Sequence, residues 1–374
     1  MKSVAKTVLY FNPTGFIGGA EKNLLLMCGR LPRNRYTPIV VLPEEGPLPR
    51  LLRDLDVETI YFPKRLVQTG QIFNVLWGCY TLRAVLKNRP PIHFIHSNSI
   101  FCLYLPVYYG WFTRKPVFVH WADFDARKGD IRLLNLFKSN TTVLAVSESI
   151  RKTLLQGGVH ASIIEQLYNG IEEEPLVISD RTAFLKRYRV SDTDYIVGIT
   201  GRIDSWKGHR YAIKALKRLS DLPVKLFILG EYHQVKNPWL QYDLERLIHE
   251  ENLSDRVIFT GFVENPRSFV YHFNAVLVPS DYEPFGLVAV EAMALKKPVI
   301  ASRTGGLEEI VQDGVTGFLV PPKEEEALAE RIRYLYMKRD IGRKMGEQGY
   351  DVFHKRFTGD IFIQKLIRHY ESKT

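Results

Sequence analysis

Short apolar runs alternating with longer amphipathic segments, a polar break near residue 172, and a restart of the same pattern beyond it predict an α/β chain of two Rossmann-like domains in tandem. A chain of 374 residues is long for one core and comfortable for two. In the first half the strand runs are Val8–Phe11, Ile39–Leu42, Glu58–Phe62, Phe94–His96, Val117–His120, Val143–Val146 and Ile164–Leu167. Helical segments such as Glu21–Arg30, Val75–Lys87 and Glu148–Leu155 lie between them. After Asn169-Gly170-Ile171 the chain turns polar through Glu172-Glu173-Glu174-Pro175 and Ser179-Asp180. The pattern then resumes with Tyr195–Thr200, Val224–Leu229, Val257–Gly261, Ala275–Val278, Val299–Ala301 and Gly317–Val320. This places one domain over residues 1–172 and a second over 173–357, with the active site expected in the cleft between them. The amphipathic segment 358–374 is expected to return to the first domain as a helix.

Composition narrows the partners. With 45% hydrophobic and 25% charged residues the chain reads as ordinary globular material, neither disordered nor low-complexity. Cys28, Cys79 and Cys102 show no metal-ligand or redox spacing, which suits a reducing compartment and small buried roles. The N-terminus runs straight into strand-like Thr7–Phe11 without a signal-peptide pattern, and the apolar stretch Ile100–Phe112, 13 residues with Pro106 and Gly110, is too short to span a bilayer. A cytoplasmic protein is expected. Of the net charge of +10, residues 1–175 carry +7, from 21 Lys/Arg against 14 Asp/Glu. Such an excess favours anionic partners, among them the inner face of a membrane met peripherally, or a phosphate-bearing acceptor. Nucleic acid ranks last, because the basic residues are scattered and lack interleaved aromatics.

The segment Glu283-Pro284-Phe285-Gly286-Leu287-Val288-Ala289-Val290-Glu291 says most about chemistry. It starts as a loop and becomes a helix over Leu287–Leu295, so Gly286 stands near a helix start, where unpaired N–H groups and a partial positive charge suit phosphate. Eight positions separate the two carboxylates, at most about 12 Å along a helix. One carboxylate can then address one end of a ligand and the other a second part, with phosphate between, which is the layout of a sugar nucleotide. The apolar sequence around Glu291 predicts a charge within a buried stretch, where a partner is required. At the end of the first strand of the second domain, Gly201-Arg202-Ile203-Asp204-Ser205-Trp206-Lys207-Gly208 offers a planar guanidinium fork and an ammonium five residues apart, which suit a diphosphate.

With these motifs on the page, the chain resembles the retaining group 1 glycosyltransferases, glycosyltransferase family 4, of the GT-B fold. The resemblance rests on Gly18-Gly19-Ala20-Glu21, Asn169-Gly170-Ile171, Gly201-Arg202 with Lys207-Gly208, Gly230-Glu231, Phe259–Val263, Glu283 to Glu291, and Gly305–Glu309 followed by Asp313–Gly317. It implies that Arg202 and Lys207 hold the diphosphate, Glu291 the ribose and Glu283 the donor sugar. Backbone around Phe285, Gly286 and Leu287 would cradle phosphate oxygens, and the loop after Gly261, including Val263, would lie against the base. Gly18 and Gly19 would let backbone approach donor and acceptor, Gly230 would stand near the donor, and His120 would touch the transferred sugar. Family members often carry a glycine two positions after Gly230, where this chain has Tyr232 at the start of an insertion to Trp239.

No metal and no cofactor is implied, the nucleoside-diphosphate sugar being substrate; Asp192-Thr193-Asp194 reads as linker and Asp123-Phe124-Asp125 as a first-domain loop. The implied reaction moves a hexose, UDP-hexose first and GDP-mannose second, to a hydroxyl of a glycan or lipid-linked saccharide in polysaccharide synthesis. Two alternatives remain: a nucleotide-sugar 2-epimerase on the same architecture, and a non-catalytic binding protein. A Rossmann dehydrogenase is disfavoured because Gly15-Phe16-Ile17-Gly18-Gly19 does not reproduce G-x-G-x-x-G. His96–Ser99 is a candidate to shape the acceptor site, Ser147 reads as a helix N-cap, and Trp111, Phe112 and Trp121 read as packing residues.

Overall fold

Strands that read as almost continuous apolar runs require cover on both faces, and the two sheets of the computed structural model are parallel at every pairing. The structure describes residues 5–173, 180–232 and 238–373. Contacts divide the chain into two units, residues 1–172 with 358–374, and residues 173–357. Part of the polar junction (174–179) and part of the insertion after Tyr232 (233–237) lie outside the described residues.

The first unit contains β1 (Lys6–Phe11), β2 (Tyr36–Leu42), β3 (Glu58–Tyr61), β4 (Ile92–Ser97), β5 (Val117–Trp121), β6 (Thr141–Ala145) and β7 (Ile164–Gln166), in the spatial order β3-β2-β1-β4-β5-β6-β7. The second contains β8 (Tyr195–Thr200), β9 (Val224–Leu229), β10 (Val257–Gly261), β11 (Ala275–Val278), β12 (Val299–Ser302) and β13 (Gly317–Val320), ordered β10-β9-β8-β11-β12-β13. Each sheet winds outward one way, then returns to the other side of its first strand. The reversals lie between β1 and β4 and between β8 and β11, and beyond the carboxyl ends of such paired strands a doubly wound sheet leaves a crevice for ligand.

The C-terminal helix Gly359–Glu371 belongs to the first core, where it buries Phe362, Ile363, Leu366 and Tyr370 beside Tyr10, Phe94 and Phe118. Tyr370 Oη meets His96 Nδ1 at 2.7 Å and Tyr10 Oη at 3.1 Å, so these three polar tips are joined inside the core, while His96 Nε2 has no hydrogen-bond partner among the described residues. Gly170 permits the crossing: a Cβ there would stand 2.6 Å from Phe362 Cβ. Ser147 caps the helix Glu148–Gln156, its Oγ accepting from Ile150 N at 3.1 Å. Cys28, Cys79 and Cys102 are buried and unpaired, and burial pushes each thiol up to about 12. Trp121 is fully buried, whereas Trp111 and Phe112 are half exposed. The helix Tyr104–Thr113 already buries Leu105, Val107 and Tyr109, and its last turn carries the two rings outward. Among the described residues no helix is long and apolar enough to cross a membrane.

Burial holds His120 and His209 at about 4, well under the usual imidazole value, and also lowers His96. A base depressed in the folded state stabilises fully above its unfolded pKa, near 6.5, and loses that contribution as pH falls towards the folded value. Each of His120 and His209 therefore withdraws about 2 kcal/mol by pH 5. The melting temperature should drop between pH 7 and pH 5, and the drop should shrink in His209→Gln; an unchanged drop would contradict the assignment.

Candidate active site

Three loop ends are drawn together at the reversal point of the second sheet by glycines. Gly208, after the short turn Ser205–Lys207, has φ 75°, and a Cβ there would stand 1.9 Å from the Pro279 carbonyl oxygen beyond β11. Gly230, beyond β9, has φ 142°, and its Cβ would stand 2.0 Å from the Gly201 oxygen. Both positions demand glycine for conformation and for contact. Asp281 N donates to Trp206 O at 2.7 Å, completing the union of the loops after β8 and β11.

That union places Lys207 beside Glu283. Lys207 Nζ donates to Glu283 Oε2 at 2.6 Å, and Ser280 Oγ donates to the same oxygen at 3.3 Å. Glu283 is 8% exposed, so the carboxylate needs these donors in place of water. Lys207 Nζ also lies 4.0 Å from the Trp206 ring centroid, and Trp206 stacks on Tyr282 with centroids 4.9 Å apart and planes 15° apart. The ammonium is thus held between a carboxylate and a π face. Gly306 N donates to Glu283 O at 2.9 Å, fixing the backbone of the carboxylate as well.

Phe285 is buried, and Gly286, at φ 111°, starts the helix Leu287–Ala294. Ala289, Val290, Ala292 and Met293 form its buried face, while Leu287, Val288 and Glu291, at helical spacing, form a half-buried one. Glu291 therefore departs from the expected burial: the apolar stretch wraps the other side of the helix. Arg202 is exposed, and its guanidinium stands 3.8 Å from buried Asp204, a weak surface pairing that a bound anion can replace. Val263 is half-buried beyond β10, on the far side of β9 from β8. Lys207 and Glu283 are in direct contact, Arg202 and Gly230 belong to the same loop cluster, and Phe285, Gly286, Leu287 and Glu291 follow on the helix start.

In the first unit Gly18 and Gly19 are exposed at the start of the helix Gly19–Arg30. Gly18 has an extended backbone that any residue adopts, with φ −132°. Glu21 is buried; its Oε2 accepts from Gly18 N at 3.0 Å and its Oε1 from Asn12 Nδ2 at 3.2 Å. Burial raises the Glu21 pKa, and the Asn12 bond opposes the rise. Asn98 Nδ2 donates to Asn12 Oδ1 at 2.8 Å and to Ala20 O at 3.0 Å, so the ends of β1 and β4 are joined by side-chain amides.

His120, which the resemblance places against the transferred sugar, is enclosed at 3% exposed. Its Nε2 and the Asn169 Oδ1 are 2.8 Å apart, and since the amide oxygen only accepts, Nε2 carries the proton. Asn23 Nδ2 donates to the same oxygen at 2.7 Å. Nδ1 is then an acceptor with no hydrogen-bond partner among the described residues. Asn98 lies in the His96–Ser99 stretch that the sequence singles out, whereas Asn12 and Asn23 escaped sequence reasoning, although Asn12, like Asn98, directly follows a strand at the reversal point. His96 and Asn98 are buried in this interior. No group of three or more His, Cys, Asp or Glu that could hold a metal ion occurs among the described residues.

Residues 17–175 match the family described as Glycosyltransferase Family 4, and residues 180–352 match Glycosyl transferases group 1. The chain belongs to the group 1 glycosyltransferases. It is 26% identical to the N-acetyl-alpha-D-glucosaminyl L-malate synthase of Bacillus anthracis over 68% of this chain and 65% of that protein. It is 27% identical to the capsular polysaccharide biosynthesis glycosyltransferase CapM of Staphylococcus aureus over 62% of each. The chain thus spans about two thirds of the length of these curated relatives. Among solved structures, HepE of Anabaena in complex with UDP and glucose superposes with a TM-score of 0.85 at 24% identity, covering 98% of this chain and 100% of that one. A glycosyltransferase of Rickettsia africae gives 0.89 at 21%, covering 99% and 98%. These likenesses show the GT-B fold.

In this glycosyltransferase, Gly208→Ala should lower the melting temperature of the second unit by several degrees, because the added methyl meets backbone oxygen; an unchanged melt would contradict the packing. Trp206→Leu should keep the fold yet raise the KM for donor about fivefold, as the ammonium loses its π support. Wild-type kinetics in that variant would remove Trp206 from the site.

Proposed function

We propose that this glycosyltransferase moves a hexose from a nucleoside-diphosphate sugar to a hydroxyl of a saccharide or lipid-linked saccharide, with retention at the anomeric carbon. UDP-hexose is the first choice of donor and GDP-mannose the second. The single observation that carries the reading is the Lys207–Glu283 contact, which sets cation against carboxylate three residues before the helix start at Gly286. Crystals of the structural neighbour HepE hold UDP and glucose, or UDP-glucose, and CapM is named for capsular polysaccharide synthesis. Residues 173–357 take the donor, and residues 1–172 with 358–374 take the acceptor.

In this account Arg202 leaves its loose partner Asp204 to fork onto the diphosphate, and Lys207 meets it as a point charge. N–H groups at Gly286 and Leu287 receive phosphate oxygens, Phe285 seats this turn, and Glu291 accepts from ribose hydroxyls. Glu283 accepts from hydroxyls of the donor sugar while it orients Lys207. Gly230 keeps the loop after β9 close to the diphosphate, Val263 borders the base, and Gly18 and Gly19 leave room for the transferred sugar. The acceptor oxygen attacks the anomeric carbon on the face from which the diphosphate departs. As that carbon–oxygen bond breaks, the new one forms, and the acceptor proton passes to the leaving phosphate. The growing negative charge is met by Arg202, Lys207 and the helix start, preorganised before reaction. His120, neutral above pH 5 and enclosed beside Asn23 and Asn169, does not act as an acid.

A panel of nucleotide sugars should produce a melting shift and acceptor-dependent nucleotide release with at least one donor. Arg202→Ala should weaken that donor about tenfold or more. No response to any nucleotide sugar, or an unaffected Arg202→Ala, would contradict the donor site, and sugar isomerised without acceptor would replace transfer by epimerisation.

A further inference from the structure

Between Glu58 and Asp123, residues 59–122 include seven Lys/Arg and no Asp or Glu, so this stretch carries +7 of a net +10. Within it lies the helix Ile72–Val85, 14 residues long. Val75, Gly78, Cys79 and Leu82 form its inner face, and Gly78 lets Leu105 of the neighbouring helix come close, within 3.0 Å of where a Cβ would stand. The outer face is apolar too: Ile72, Phe73, Leu76, Trp77 and Tyr80 are 42%, 84%, 40%, 59% and 68% exposed. The Trp77 and Tyr80 rings lie 5.7 Å apart, forming one surface. The stripe continues to exposed Arg83 in the last turn and to exposed Lys87 just past the helix end, neither of which makes an ion pair among the described residues.

Scattered exposed apolar residues are ordinary, but five on one helix face mark a contact surface. The charge decides what meets it. A saccharide would need polar partners that this stripe lacks, whereas an anionic lipid surface matches both halves: acyl and headgroup boundary for the rings, phosphate for the cations. Trp and Tyr favour that boundary, and a helix of about 21 Å lies in its plane and does not cross it. We propose that the helix Ile72–Val85 docks the chain onto an anionic lipid surface, with Phe73, Trp77 and Tyr80 entering the headgroup layer and Arg83 and Lys87 set against lipid phosphates. This rests on the exposed face and its charge, and stands apart from the donor chemistry.

The test is co-sedimentation of the full chain with vesicles of phosphatidylcholine, with and without phosphatidylglycerol, at low and high salt. Binding should require phosphatidylglycerol and fall with salt. The triple variant Phe73→Ser, Trp77→Ser, Tyr80→Ser should bind about tenfold more weakly or worse, and Arg83→Gln with Lys87→Gln about tenfold more weakly with a flatter salt dependence. Should the triple variant fail to fold, Phe73→Ser alone and quenching of Trp77 emission by brominated lipid give the same reading. Absence of binding, equal binding to neutral vesicles, or wild-type binding by these variants overturns the proposal. So does a Trp77-dependent dimer in sedimentation velocity, which would make a second copy the occupant.

Discussion

A carboxylate folded into the interior must be given donors to replace water, and Glu283 receives them from Lys207 at 2.6 Å and Ser280 at 3.3 Å. The arrangement around β8 and β11 depends on that requirement. Lys207 reaches the carboxylate only because its loop lies against Pro279, and the loop lies there only because Gly208 has no side chain. Trp206 and Tyr282 then stack across the same junction, so cation, carboxylate and aromatic pair are one assembly built from two loops. Removing a partner would leave a buried charge unmet, which costs far more than a surface pair is worth.

The two sheets solve the same topological problem with different chemistry. Each reverses direction beside its first strand, leaving loop ends at the carboxyl edge. In the second unit those ends carry charge. In the first they carry amides: Asn98 donates to Asn12, which donates to Glu21, while Asn23 and Asn169 surround His120. Neutral hydrogen bonding of this kind suits recognition of hydroxyls, whereas ammonium and guanidinium suit phosphate. The division of labour proposed for the units follows from this contrast.

Much of this was legible in the sequence because parallel strands buried on both faces leave uninterrupted apolar runs. Tyr195–Thr200, Val224–Leu229 and Val257–Gly261 are strands over the very spans that their composition marks. Lys207 stood out beside Gly208 in the loop after a strand, and Glu283 through its spacing to Glu291 across Pro284-Phe285-Gly286. What stayed hidden depends on side-chain direction in three dimensions. Glu291 sits in an apolar run, yet the helix turns its face outward from Ala289 and Val290. His120 lies one residue before the end of its strand, close to where expected, but Asn23 and Asn169, 97 and 49 residues away, enclose it. Trp111 and Phe112 read as packing residues and emerge half exposed, since the inner face of their helix was already filled.

The central claim is that Lys207 and Glu283 divide the donor between them, phosphate to one and sugar to the other. Calorimetric titration of UDP and of UDP-hexose into the wild type, Lys207→Ala and Glu283→Gln tests it most directly. Lys207→Ala should weaken both ligands about tenfold or more, whereas Glu283→Gln should weaken UDP-hexose alone and leave UDP within about twofold. Equal loss of UDP and UDP-hexose in Glu283→Gln, or no loss of UDP in Lys207→Ala, would contradict that division.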